Sequence, residues 1–291
     1  MHIAFFTQIV CGAFMNDSKR RTVELDPSGF NELRMCRSGP MLYNKNDVYM
    51  GGSLQKYGEF SVGEQIIFSA IVQPGALVIE VGANIGAHTV ALARLAGQDG
   101  EVHAFEPQRI VFQALCANLA LNNCANVFAH QAAVGESAGT ISVPALDPMV
   151  RSNFGGLSLQ GATLGESVPL VTLDSLDLPS CQLLKVDVEG MEVEVLKGSR
   201  TLIDTYRPIM YLENDRIERS EELLGIVERF EYNAYWHFPR VFNPANFFGD
   251  AENIFGNIVS VNILCVPKET TSPVGGLRQV RSTREIWNAL P

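Results

Sequence analysis

Basic residues are scarce in this chain: 22 lysines and arginines stand against 32 aspartates and glutamates, a net charge of −10 over 291 residues. Phosphate binding rests on clustered Lys and Arg, so nucleic acid is not the expected partner. Long apolar runs are missing too. None approaches the roughly 18 residues a membrane helix needs, although 46% of the residues are hydrophobic and supply ample core. The opening His2-Ile3-Ala4-Phe5-Phe6 lacks the basic start and extended apolar stretch of a secretory leader and reads as a short strand. The six cysteines (Cys11, Cys36, Cys116, Cys124, Cys181, Cys265) show no CxxC spacing. They lie mostly in apolar segments and read as reduced thiols, which points to a cytoplasmic protein. No repeat or low-complexity tract interrupts the chain.

Two nucleotide signatures are also absent. A dinucleotide site needs G-x-G-x-x-G so that bare backbone can cradle a pyrophosphate, and a P-loop needs a lysine after its glycines. The chain instead carries Val78-Ile79-Glu80-Val81-Gly82-Ala83-Asn84-Ile85-Gly86-Ala87-His88-Thr89, with Asn84 where the middle glycine belongs. This is a buried-strand run, a glycine turn and the opening of a helix. Such a turn brings a ligand against backbone at the carboxyl end of a strand. The next strand, Val102-His103-Ala104-Phe105, ends in Glu106-Pro107, about twenty residues on, where a carboxylate can accept hydrogen bonds from a ribose diol. A phosphate-free nucleoside fits this pattern, and S-adenosylmethionine (SAM) is the common one.

Four motifs occur in order: Gly82-Ala83-Asn84-Ile85-Gly86, Ala104-Phe105-Glu106-Pro107, Asn118-Leu119-Ala120-Leu121-Asn122 and Lys185-Val186-Asp187-Val188-Glu189-Gly190-Met191-Glu192. Together they resemble the FkbM family of class I SAM-dependent methyltransferases over about residues 60 to 266. The Lys-x-Asp-x-Glu-Gly element is fairly specific to that family; the glycine turn alone is not. The resemblance implies SAM as methyl donor and a hydroxyl acceptor, often on a sugar or natural product.

The segment order agrees. Residues 1–58 read as a small N-terminal extension with short strands. Ser61 and Glu64 have the capping-box spacing for a helix over Val62 to Ala70. Strands 77–81, 101–105, 126–130, 182–187 and 208–213 then alternate with helices 86–96, 108–121, 190–204 and 220–229. This predicts an α/β fold: a Rossmann-like, doubly wound, mostly parallel sheet of the class I methyltransferase type over 59–267. Segments 231–237 and 258–266 suit an antiparallel hairpin at the sheet edge. The tail from Lys268 to residue 291 reads as loosely held or as an arm to a partner, with Trp287 suited to bridging subunits of a homo-oligomer. The stretch 144–167, with Asn153-Phe154-Gly155-Gly156, is long for a plain connection and suits either a lid or a surface excursion.

Methyl transfer from a sulfonium is an in-line displacement that depends on positioning, and a hydroxyl acceptor also needs a base. Glu80, Gly82, Asn84, Gly86, Glu106, Ala133 and Asp187 are the expected donor contacts, with Glu106 on the ribose and Ala133 at the adenine edge. Asp187, Glu189, Glu213 and His237 are the catalytic candidates. Asp187 ends a strand at the crevice mouth and suits a base, an acceptor-orienting group or a metal ligand. Glu189 sits at a helix start, where a carboxylate also suits a cap. Glu213 ends the neighbouring strand; its proximity to Asp187 makes a divalent cation conceivable, with pairing to Arg207 or Arg216 as the alternative, and no metal ligand is assigned. His237 lies among Tyr235, Trp236 and Phe238, beside Asn243 and Asn246, and is either a base or a hydrogen-bonded core group. His88, His103 and His130 read as structural. The expected activity is O-methylation of a small-molecule or glycan acceptor, without a membrane span. Two rivals remain: an NAD-dependent oxidoreductase, disfavoured by the missing glycines, and a non-catalytic nucleoside-binding module.

Overall fold

The computed structural model describes residues 22–23, 25–159, 161, 164–271 and 274–289; the strand expected over residues 2–6, and Cys11, lie outside them. In chain order, β1 (Thr22–Val23), β2 (Asn31–Cys36) and β3 (Gly39–Asn44) form a small antiparallel sheet. Helices α1 (Met50–Tyr57) and α2 (Val62–Ile71) follow, then β4 (Leu77–Val81), α3 (Thr89–Ala96), β5 (Glu101–Phe105), α4 (Arg109–Leu121) and β6 (Val127–His130). Next come β7 (Ala133–Val134), β8 (Gly139–Val143), β9 (Glu166–Val171) and β10 (Leu183–Val186). The chain continues with α5 (Glu192–Lys197), α6 (Arg200–Tyr206), β11 (Ile209–Glu213), α7 (Ile217–Arg229), β12 (Tyr232–His237), β13 (Asn262–Pro267) and β14 (Arg278–Gln279).

The main sheet has the order β14-β12-β13-β11-β10-β4-β5-β6. Strands β6, β5, β4, β10 and β11 are parallel, and β13 runs antiparallel between β11 and β12. The predicted doubly wound α/β sheet is present. Its central strands are near-continuous apolar runs because helices cover both faces. All of β4 and β10 is buried, including Glu80 and Lys185, which stand opposite one another in register. The expected 231–237/258–266 hairpin does form, with β13 inserted next to β11 rather than β12.

Several boundaries differ from the sequence reading, each for a local reason. The helix expected from 86 starts at Thr89, because Asn84 (φ +50°) and Gly86 (φ +85°) carry the turn in left-handed conformations. The helix expected over 190–204 is two helices, broken where Gly198 packs against the backbone of Gly135, too close for any side chain. Ser61 does not cap α2 as expected: at φ +40° its hydroxyl turns to the Glu64 carboxylate, 2.8 Å away. The segment before and after the 144–167 stretch is not a bare connection; β7, β9 and β8 make a second three-stranded sheet there. The tail is held rather than loose. β14 extends the sheet beside β12, Trp236 Nε1 donates to Glu285 Oε1 at 2.7 Å, and Trp287 packs on the main core.

The N-terminal sheet docks on the α/β body through Asn118. Its side-chain amide donates to the carbonyls of Leu42 and Ile85, and its oxygen accepts the Leu42 N–H. One asparagine thereby ties the extension, α4 and the glycine turn together. The five described cysteines are free thiols, with Cys36, Cys181 and Cys265 buried. No helix among the described residues is long and apolar enough to cross a membrane.

Candidate functional site

The site forms where β4, β5, β10 and β11 end side by side. Gly82 follows β4 at φ +84°, and a methyl group there would run into the Asp187 carbonyl. Only glycine lets the two strand ends approach this closely. Both the Gly82 and Ala83 N–H groups donate to the Phe105 carbonyl (3.0 and 2.9 Å), binding the turn to the end of β5. Gly86 is packed as tightly, against the Leu115 side chain.

Glu106 is 5% exposed, and each of its oxygens accepts a backbone N–H: Asn84 at 3.0 Å and Gln108 at 2.8 Å. A carboxylate has about four lone-pair sites, so each oxygen keeps one for a ligand diol. Burial pushes the Glu106 carboxyl up to about 7, partly offset by those two N–H bonds. Gln108 in turn donates to the Phe154 carbonyl at 2.9 Å, drawing the 153–156 loop over the crevice. Gly155 lies against the Asn84 amide. The long stretch therefore contributes a wall of the site.

Two cavities meet here and share Gly82, Glu106, Gly155, Asp187 and Glu189. The first is walled by Val81, Phe105, Ala133, Val134, Leu159 and Met191. Its walls are apolar, with the Glu106, Asp187 and Glu189 carboxylates at its edge. The second contains Asn84, Glu80, Lys185, Glu64, His88 and Glu213, with Tyr49, Phe60, Asn153 and Ser260 at its sides. Every expected donor contact except Gly86 lines one cavity or the other. Gly86 instead shapes the turn from behind.

The acidic strand ends also converge. Asp187, Glu189 and Glu213 each offer an oxygen within 4.8 Å of the others. Burial and mutual repulsion, first from Asp187, push Glu189 up to about 8 and Glu213 well above the ordinary carboxyl range. The Arg216 guanidinium binds Glu189 and lies 3.5 Å from Asp215, so a cation is already built into this cluster. Arg207 is elsewhere, paired with Glu269. Glu189 does not cap the following turn. Glu192 does, accepting the N–H groups of Val188 (3.1 Å) and Gly190 (3.2 Å), and burial pushes its carboxyl up to about 7.

His237 lies apart from these groups. It lines neither cavity, and its Nδ1 is 2.7 Å from the hydroxyl of buried Tyr211. The aromatic and amide segment after it also turns away. Asn243 and the Phe247 N–H bind Glu59, and Phe242 packs on Tyr57. The aromatic residues at the second cavity are Tyr49 and Phe60, from the N-terminal region.

The second cavity is floored by a charged row of which the sequence reading named only Glu80 as a site residue. Lys185, 1% exposed, is 3.2 Å from Asp187 and 3.6 Å from Glu80. Glu80 accepts the Thr89 hydroxyl at 2.6 Å. On the helical side, Glu64 faces His88 at 3.4 Å. A lysine in an otherwise apolar strand, in register with a glutamate of equal burial, was the available signal.

A profile of the Methyltransferase FkbM domain matches residues 80–238, more than half of the chain. The chain is 32% identical over 155 residues to "Methyltransferase sdnD" of Sordaria araneosa, covering 42% of this chain and 59% of that protein. It is 29% identical over 140 residues to "Hexuronic acid methyltransferase AglP" of Haloferax volcanii, covering 47% and 56%. The chain thus spans between half and two thirds of these curated relatives. Among solved structures, the methyltransferase FkbM of Methylobacillus flagellatus overlaps 69% of this chain and 50% of its own, at 18% identity and a TM-score of 0.43.

Proposed function

Because the chain belongs to the FkbM methyltransferase family, we propose that it is a SAM-dependent methyltransferase that O-methylates a hydroxyl of a sugar or natural product. The observation that carries this reading is the junction of the two cavities. A diol-accepting carboxylate, Glu106, and a glycine turn stand on the donor side, and acidic strand ends stand on the other. SAM supplies a methyl group made electrophilic by its sulfonium.

The chain's own residues do the rest. Glu106 binds the ribose diol, and Val81, Phe105, Ala133 and Val134 pack the base. Gly82 and Asn84 leave room for the amino-acid end. Asp187 and Glu189, shared by both cavities, flank the reacting centre, and Asp187 places a carboxylate beside the sulfonium. The 153–156 loop and the Tyr49 and Phe60 rings shape the acceptor side and exclude water. Flat apolar rings beside Asn153 and Ser260 suit a hydroxylated ring. The Haloferax volcanii relative is named as a hexuronic acid methyltransferase, which supports an acceptor of this class.

Calorimetric titration with S-adenosylhomocysteine, alongside NAD, tests the donor assignment. Micromolar binding of the former alone is expected. Binding of NAD with silence from S-adenosylhomocysteine overturns the reading.

A further inference from the structure

Methylating a hydroxyl releases a proton, and the strand-end carboxylates are poor candidates to take it. Asp187 is engaged by Lys185, Glu189 by Arg216, and Glu213 holds its own proton through burial. His237 lines neither cavity, and its Nδ1 is engaged by Tyr211. We propose that the general base is His88, oriented by Glu64, acting on the acceptor hydroxyl in the second cavity; this rests on the methyltransferase reading above.

His88 occupies the residue before α3, yet its side chain makes no capping bond. The ring is 5% exposed and is fixed between Phe60 (5.8 Å) and the edge of Phe68 (5.5 Å). Its Nε2 lies 3.4 Å from Glu64 Oε2, an ion-pair distance, and both ring nitrogens are buried without a hydrogen-bond partner among the described residues. Both His88 and Glu64 line the same cavity as Asn84, Asp187 and Glu213. A buried imidazole with a carboxylate beside one nitrogen and no charged neighbour that close to the other can serve as a base with its orienting group.

Glu64 is suited to that second part. Its Oε1 accepts the Ser61 hydroxyl at 2.8 Å, which leaves Oε2 for the ring. Burial would raise this carboxyl, but His88, Lys185 and Ser61 bring it down to about 2, so it is ionised. The other charged groups lining this cavity are Glu80 and Lys185 on the sheet and Glu106, Asp187, Glu189 and Glu213 at the strand ends. In the step, the hydroxyl O–H bond breaks as the O–CH3 bond forms. The proton goes to His88 Nδ1, the donor's S–CH3 bond breaks with its electron pair staying on sulfur to leave a thioether, and Glu64 offsets the imidazolium charge. Glu64 is a positioning residue; His88 is the catalytic one.

The test is 15N NMR of the full chain labelled at its five histidines, with His88→Gln for assignment. The neutral ring is expected to carry its proton on Nε2, with Nδ1 bare. In Glu64→Gln that tautomer preference should relax toward a mixture. Methanol, the smallest alcohol probe, added to the S-adenosylhomocysteine complex should shift the His88 Nδ1 signal in the direction of an accepted hydrogen bond. A proton on Nδ1, or an Nδ1 signal indifferent to methanol, overturns the proposal. Calorimetry on the same samples separates the two readings. Loss of S-adenosylhomocysteine binding in the wild type sinks the donor assignment, whereas an unchanged affinity in His88→Gln is what an acceptor-side base requires.

Discussion

Replacing Glu106 by glutamine isolates the ribose contact better than replacing it by alanine. The two Glu106 oxygens hold the N–H groups of Asn84 and Gln108, both at the crevice. Alanine would strand both donors, at about 1–3 kcal/mol each, and mix a folding defect with a binding defect. Glutamine keeps one oxygen for one N–H and removes the charge. A charge-assisted hydrogen bond contributes about 1.5–3 kcal/mol, which is roughly a tenfold to hundredfold loss of affinity. The assay is calorimetry with S-adenosylhomocysteine at pH 8, above the value of about 7 to which burial raises this carboxyl. The wild type should weaken as pH falls from 8 to 6 and Glu106 takes up its proton, while Glu106→Gln should be flat across that range. Equal affinities of wild type and variant at pH 8, at unchanged thermal stability, would show that Glu106 does not hold the ribose.

Stability should vary with pH in a defined direction. Glu106 and Glu192 are raised from 4.5 to about 7, so the folded chain keeps protons that the unfolded chain releases, and stability falls as pH rises from about 4.5 to 7. Glu64, lowered to about 2, acts oppositely: its contribution is present above 4.5 and is lost as pH falls toward 2. Thermal midpoints should be higher at pH 5 than at pH 8, and Glu106→Gln should flatten part of that slope; a rise toward pH 8 would contradict it. Gly82→Ala should cost about 2–4 kcal/mol, because a side chain meets the Asp187 carbonyl at a left-handed φ; an unchanged urea midpoint would refute the close approach. Lys185→Met leaves Glu80 and Asp187 without their cation and should cost about 3–5 kcal/mol. Adding Glu80→Gln should recover part of that loss in urea unfolding, and strict additivity of the two substitutions would mean that the pair does not interact.

The sheet was legible because its strands are buried on both faces. Leu77–Val81 and Leu183–Val186 read as strands without any partner in view. Other features depended on contacts between segments far apart in sequence. The small sheet of β7, β9 and β8 rests on pairings across a long loop. The split between α5 and α6 follows from Gly198 meeting the Gly135 backbone, which no local pattern announces. The tail carries few strand formers, yet it finds an open sheet edge at Tyr235 and Trp236.

The glycine turn and Glu106 were legible for a related reason: they lie in one turn and one strand end. The rest of the second cavity is assembled from segments far apart in the chain, and there the same residue types admitted other uses. Ser61 and Glu64 have the spacing of a capping box, but a left-handed Ser61 redirects the hydroxyl to the Glu64 side chain. That redirection frees the other Glu64 oxygen for His88, a residue whose place at the start of α3 had suggested a purely structural part. His237 shows the converse. Its sequence neighbours are aromatic and amide side chains suited to a sugar, but strand pairing turns its ring onto Tyr211. Which histidine lines the second cavity is therefore decided by the sheet face that each element covers. Helices α2 and α3 lie over the charged row of Glu80 and Lys185, and the ring they bring to it is that of His88.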